Sequence, residues 1–258
     1  MWNGSDTTLI DAGLFAAGFV SWVISTLSAG GGSILMVAAA STMLGGHAIA
    51  PVITVTSLTA APARIALFWD HIDWRVVGWY LPGATAGAIL GGWIFTLLSG
   101  QLVQICVALF LISTAWQYRL GDRARSFRMR LPGFVPVSFA SGMTSAVVGA
   151  SGLLANPFYL NYGMVKERMV STRAVNSLMI QLAKIGTYAA FGALDWDLVR
   201  HGLAAGAGAV LAIWVSRPWL QRLDPRRFRQ LAVLIMLIGG ILVLWQQRAW
   251  LLGLLAAE

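Results

Sequence analysis

The sequence predicts an all-α integral membrane protein built from two inverted repeats of about five segments each. Three observations carry that reading: the apolar composition, ten apolar segments in two sets of five, and a residue-by-residue match between the sets. Hydrophobic residues fill 58% of the 258 positions and charged residues only 11%, about half the charged share of a soluble domain. Several apolar stretches approach 20 residues, long enough as helices to span a hydrocarbon core about 30 Å thick. Too few polar positions remain to cover so many apolar helices in water.

In order, the apolar segments fall at about 9–28, 33–44, 48–68, 76–98 and 101–118, and then at about 134–148, 152–164, 169–191, 198–215 and 228–247. A basic linker, 119–133, separates them, so the expected organisation is a first membrane repeat over 1–118 and a second over 134–258. The second segment of each set would be only about 18–20 Å long as a helix and cannot cross alone. Each follows a run of small residues, AGGGS (29–33) and GASGL (149–153), which fits a re-entrant or broken helix.

The two sets align at a constant offset of 120. Phe19 pairs with Phe139, Ser21 with Ser141, Ser25 with Ser145, Gly32 with Gly152, Ser57 with Ser177, and Arg64 with Lys184. After an insertion of two residues, Asp73-Trp74 pairs with Asp195-Trp196. Common apolar residues match by chance, but a buried cation, serines and an Asp-Trp pair at fixed spacing do not.

Orientation follows from charge. Residues 119–133 and 216–229 each carry five Arg and one Asp, and an excess of arginine marks cytoplasmic loops. Both lie on that side if 134–148 and 152–164 enter and return as a hairpin while 169–191 and 198–215 cross. The amino terminus is then outside, and an odd number of segments per repeat inverts the second relative to the first. Inverted repeats of this kind place their sites near the midplane. The expected location is the cell (inner) membrane, as a multi-pass protein.

A net charge of +8 in a soluble chain would point to nucleic acid, but here it sits in the two basic stretches and topology accounts for it. No nucleic-acid partner is expected. Cys106 is the only cysteine, which excludes an internal disulfide, a CxxC pair and a cysteine-built metal centre. No cofactor or metal motif is visible. The start of the chain lacks the basic region of a signal peptide, so the first segment is expected to remain.

Gly30, Gly31 and Gly32 can supply the backbone geometry of a sharp reversal and let N–H groups approach a ligand. The short helix that follows would present unpaired donors and a positive dipole end to an anion. Close helix packing through small residues is the alternative. Arg64 and Lys184 lie inside apolar segments, where a cation costs about 2.5–3.5 kcal/mol at the bilayer centre. Snorkelling to the interface is the alternative there. Carboxylates that could neutralise them are scarce, Asp11 being the near candidate, so a mobile anion is the economical partner. Arg173, Asn176, Ser177 and Gln181 share the segment of Lys184, and Thr56 and Ser57 occupy the matching stretch of the first repeat.

Gly149-Ala150-Ser151-Gly152 fits the GxSG pattern of an intramembrane serine protease. Such an enzyme needs a histidine base near Ser151, and His47, His71 and His201 all fall at segment ends or in loops. Position 31, the repeat counterpart of Ser151, is glycine. An enzyme is therefore not expected. A non-transporting membrane scaffold is the other rival.

AGGGSILM (29–36) and GASGLLANP (149–157), each after the first helix of its repeat, and VTS (55–57) and VNS (175–177) beyond them, resemble the sulfite exporter TauE/SafE family over essentially the whole chain. The second stretch departs from the usual triple glycine at Ala150 and Ser151, and the first lacks the proline that Pro157 supplies. The resemblance implies export or exchange of sulfite, organosulfonates or related small anions. The site is expected at Gly30, Gly31, Gly32, Ser151 and Gly152 as backbone or hydroxyl donors. Arg64, Arg173 and Lys184 are expected to supply charge, with Thr56, Ser57, Asn176, Ser177 and Gln181 as lining. Expected partners are the lipid bilayer and a small anionic substrate, and the reading is compatible with a homo-oligomer.

Overall fold

A computed structural model describes residues 4–30, 32–44, 49–94, 105, 109, 112–113, 126–148, 153–190, 195–246 and 248. Regular structure among these residues is helical: α1 (Gly4–Leu27), α2 (Gly32–Leu44), α3 (Ile49–Leu67), α4 (Trp74–Ile94), α5 (Phe134–Val148), α6 (Asn156–Tyr162), α7 (Lys166–Ala190), α8 (Trp196–Arg222) and α9 (Pro225–Gln246). Single 3-10 turns precede α4 and α5, at Trp69–His71 and Leu131–Gly133. The expected segment 101–118 falls largely outside the described residues, as do residues 119–125 of the linker and Cys106. Thr7–Leu27 and Trp196–Arg222 are long and apolar enough to cross a membrane, and Pro51–Leu67 is a shorter apolar helix.

Residues 216–229 are not the loop expected of a basic stretch. Helix α8 continues to Arg222 and α9 starts at Pro225, so only Leu223 and Asp224 connect them. Arginine is a good helix former, and the exposed side chains of Arg217 and Arg222 reach outward without breaking the helix. Asp224 ends the run, its Oδ1 accepting the Arg226 N–H at 2.7 Å, with Pro225 pre-set for a first helical turn. Helix α6 is also shorter than the expected 152–164. Pro157 falls in its first turn, and Gly163 (φ 92°) closes it in the left-handed conformation.

The reversal after α1 is built as expected of a glycine run. Ser28 N–H donates to Ile24 O and Gly30 N–H to Ser25 O, at 3.0 and 2.9 Å. Ala29 adopts φ 54° and Gly30 φ 144°, the left-handed side that ends many helices. Helix α2 then folds back along α1. A Cβ on Gly32 would lie 2.6 Å from Ser21 O, and one on Gly13 would collide with the Met43 methyl group.

Two cores result, and each mixes the halves of the chain. Leu14, Trp22, Met36, Val52, Ala60, Ala205, Ala209 and Ile213 join α1, α2 and α3 to α8. Phe68, Val76, Tyr80, Phe134, Tyr159, Met169 and Phe228 join α4 to α5, α6, α7 and α9. Small residues allow the tightest crossings. A Cβ on Gly18 or Gly208 of this pairing would strike the carbonyl of Ala205 or Phe15, and one on Gly83, Gly87 or Gly142 would strike Val135, Phe139 or Ala84.

Ion pairs tie the halves together at two places. Asp11 of α1 accepts from Arg200 at 2.6 Å and faces His201 Nδ1 at 2.6 Å, both on α8. Asp73, before α4, meets Arg168 of α7 at 2.5 Å, and its N–H donates to Thr172 Oγ1 at 2.9 Å. On the Arg168 side, Lys166 Nζ donates to Gln221 O, and Asn161 Oδ1 accepts the N–H groups of Ser126 and Phe127.

Candidate functional site

A cavity of about 130 Å³ lies between α3 and α7. Helix α3 turns Ile53, Ser57, Ala61 and Arg64 into it, residues spaced three or four apart and hence on one face. Helix α7 contributes Val170, Arg173, Ala174, Asn176, Ser177, Ile180 and Gln181. The α1–α2 reversal closes one side with Ser25, Ala29, Gly30, Gly32 and Ser33, and α6 another with Ala155 and Tyr159. Trp22, Tyr80 and Ser145 complete the wall.

The α4 side of the cavity differs from the equivalent contact in the other half, where α8 meets α3. At Gly202 and Gly206 of α8 a Cβ would meet Val55 and Thr59 of α3 at 2.5 and 2.7 Å, so those helices touch. At the offset of 122 that relates Asp73 to Asp195, the counterparts on α4 are Tyr80 and Ala84. The tyrosine ring stacks on Tyr159, 6.1 Å between centroids, and occupies the position where Gly202 lets α3 approach.

Two guanidinium groups face the cavity, and no carboxylate is among its described lining residues. Arg64 donates through one Nη to Thr26 Oγ1 at 3.0 Å, while its Nε is buried without a partner. The Arg173 guanidinium lies against Gly30, where a Cβ would come within 2.7 Å of Nη1. Asn176 Nδ2 donates to the Tyr159 hydroxyl at 2.7 Å. Asp11, the acid expected nearest the cations, is engaged by Arg200 and His201 instead. Gly32 and Ser33 open α2, so the donor end of a thirteen-residue helix borders the same space.

Of the expected residues, Gly30, Gly32, Ser57, Arg64, Arg173, Asn176, Ser177 and Gln181 come together here. Thr56 does not line the cavity: its hydroxyl bonds to Val52 O at 2.8 Å and to Gly202 O at 3.2 Å. Lys184 is buried on α7 but is not among the lining residues. Gly31, Ser151 and Gly152 lie outside the described residues. Sequence reasoning did not put Trp22, Ser25, Ser33, Tyr80, Ser145 or Tyr159 in the site. Ser25 and Ser145 carried a signal, as a matched pair in the repeat. Tyr80 and Tyr159 carried none, since an aromatic residue in an apolar helix reads equally as core or as interface.

A cavity bordered by two arginines, among apolar helices, is a candidate anion site. The family model described as sulfite exporter TauE/SafE matches residues 14–243, nearly the whole chain, and the protein belongs to that family. It is therefore an integral membrane transporter of the sulfite and sulfonate type. No curated protein and no solved structure matches the chain.

Proposed function

We propose that the protein is a secondary transporter that exports or exchanges a small oxyanion, sulfite or an organosulfonate, across the cell membrane. The observation that carries this is a cavity with Arg64 and Arg173 on facing helices and no carboxylate among its described lining residues. Guanidinium groups at a cavity whose described lining holds no acid favour an anion as its occupant. The start of α2 adds N–H donors and positive dipole. Hydrolysis at Ser151 gains no support from the family match, which is to transporters.

The transport reading includes two inverted repeats, 1–118 and 134–258, around the α3–α7 interface. Matched contacts support it. Gly18 approaches Ala205, and at the repeat offsets the same crossing recurs as Ser138 against Gly83. In each case the first helix of one repeat crosses the fourth helix of the other. The Asp-Trp pairs support the inversion. Asp73 is tied to the Lys166–Arg168 end of α7, which also meets the end of α8 at Gln221. Asp195 caps the start of α8, two turns from the Asp11 cluster. Their positions at opposite ends of α8 support a two-fold axis lying in the membrane plane. Basic residues 119–133 and 216–229 then face the cytoplasm, and the start of α1 faces out.

An inside-negative potential favours departure of an anion by about 2.3 kcal/mol per charge per 100 mV. The test uses proteoliposomes loaded with sulfite or methanesulfonate under an imposed potassium-diffusion potential. Efflux is expected to accelerate when the interior is negative, and Arg64→Gln and Arg173→Gln should each lower anion affinity about tenfold. Wild-type affinity in both variants would remove the site from this cavity.

A further inference from the structure

Two polar atoms at this cavity have no hydrogen-bond partner, and they are of opposite kinds. Arg64 Nε is a buried donor, and Gln181 Oε1 is a buried acceptor. Both residues line the cavity, from helices that face each other. A buried polar atom left unmade costs about 1–3 kcal/mol, so such atoms mark where a ligand or water completes the structure. The donor needs an acceptor, which an oxyanion supplies. The acceptor needs a donor, which a bare sulfonate group lacks.

The two repeats differ here. The counterpart of Gln181 at the offset of 120 is Ala61, one turn before Arg64 on the same face of α3. The other polar cavity residue of α7 with a described partner, Asn176, is occupied by Tyr159. Gln181 is 8% exposed, too buried for bulk solvent to satisfy it. Water in a cavity of about 130 Å³ can bond to it while the site is empty, but a substrate filling that space displaces the water and must replace its donor.

We infer that the cavity selects organosulfonates that carry a neutral hydroxyl as well as the anionic group, with Gln181 Oε1 accepting the hydroxyl hydrogen. This rests on the anion site proposed above. Arg64 and Arg173 hold the sulfonate, and Gln181 reads the far end of the molecule. A site built to accept a substrate O–H discriminates strongly against the analogue without it, because the protein acceptor is then left bare.

The experiment is isothermal titration calorimetry of the purified full chain in detergent with three probes. They are 2-hydroxyethanesulfonate, 1-propanesulfonate (a methyl group in place of the hydroxyl) and methanesulfonate. The wild-type protein should bind the hydroxyl probe at least about tenfold more tightly than its methyl isostere. Gln181→Leu should bring the hydroxyl probe and its methyl isostere to the same affinity, whatever the absolute value, and a wild-type size-exclusion profile shows that the fold survives. If Gln181→Leu does not fold, the closer-shaped Gln181→Met replaces it, with the same expectation. Equal wild-type affinity for the two isosteres would overturn the selectivity and leave the anion site standing. A preference unchanged in the folded Gln181 variant would place the reader of the hydroxyl elsewhere. Absence of binding by all three probes would remove the anion site itself.

Discussion

Ala29 and Gly30 each have a backbone conformation with positive φ, yet only one of them is glycine. At φ 54° an alanine pays about 1–2 kcal/mol for the left-handed region. Ala29→Gly should therefore stabilise the protein in detergent, read as a higher thermal midpoint, by less than that free energy because glycine also loosens the unfolded chain. Gly30→Ala should act on function. Its methyl group would sit 2.7 Å from Arg173 Nη1 and 2.9 Å from Leu153 Cδ2, so the guanidinium must move. Losing one charge-assisted contact to the anion should weaken binding about tenfold, while insertion and size-exclusion behaviour stay as in the wild type. Wild-type affinity in Gly30→Ala would show that the position of Arg173 against Gly30 does not matter to the ligand. Sequence pattern located Gly30 as a reversal, because glycine has few other reasons to cluster. It could not show that the space freed by the missing side chain holds an arginine from α7.

Helix α4 contains its own control for the packing argument. A Cβ on Gly78 meets nothing within 4 Å, whereas one on Gly87 runs into the Phe139 carbonyl of α5. Gly78→Ala should stabilise the protein by about 0.5–1 kcal/mol through helix propensity alone. Gly87→Ala should cost about 1–3 kcal/mol, since backbone cannot yield as a side chain does. Thermal midpoints that move the same way for both would mean that α4 and α5 are not held at this distance by glycine. The existence of the helices was legible in hydrophobic segment length, and the two short ones were legible as too short to cross. Boundaries were less so. A basic stretch reads as loop, but Arg217 and Arg222 tolerate helix, and Asp224 with Pro225 sets the break a few residues later than charge alone implied. Crossing partners were not legible: nothing in the sequence of α1 names α8, because small residues permit close approach to any helix.

At the scale of the molecule, the repeat seen in sequence and the contacts seen in space make one claim about sidedness. His71, next to the Asp73–Arg168 pair, and Phe127, bonded through its N–H to Asn161, are exposed at one end. Asp197, in the first turn of α8 near the Asp11 cluster, is exposed at the other. Asp73 and Asp195 are counterparts in the repeat, so an inverted pair must put His71 and Asp197 on opposite faces, whereas a parallel pair would put them on the same face. Single cysteines at these three positions, in a Cys106→Ser background, decide between them. Impermeant maleimide should label His71→Cys and Phe127→Cys only from the cytoplasmic side, and Asp197→Cys only from outside. The arginine excess is the argument for which face is which; the ion pairs bear only on whether the two ends differ. Labelling of His71→Cys and Asp197→Cys from one side would therefore dismantle the inverted repeat. Labelling from opposite but exchanged sides would preserve the repeat and reverse the charge-based orientation, and with it the direction in which membrane potential drives an anion.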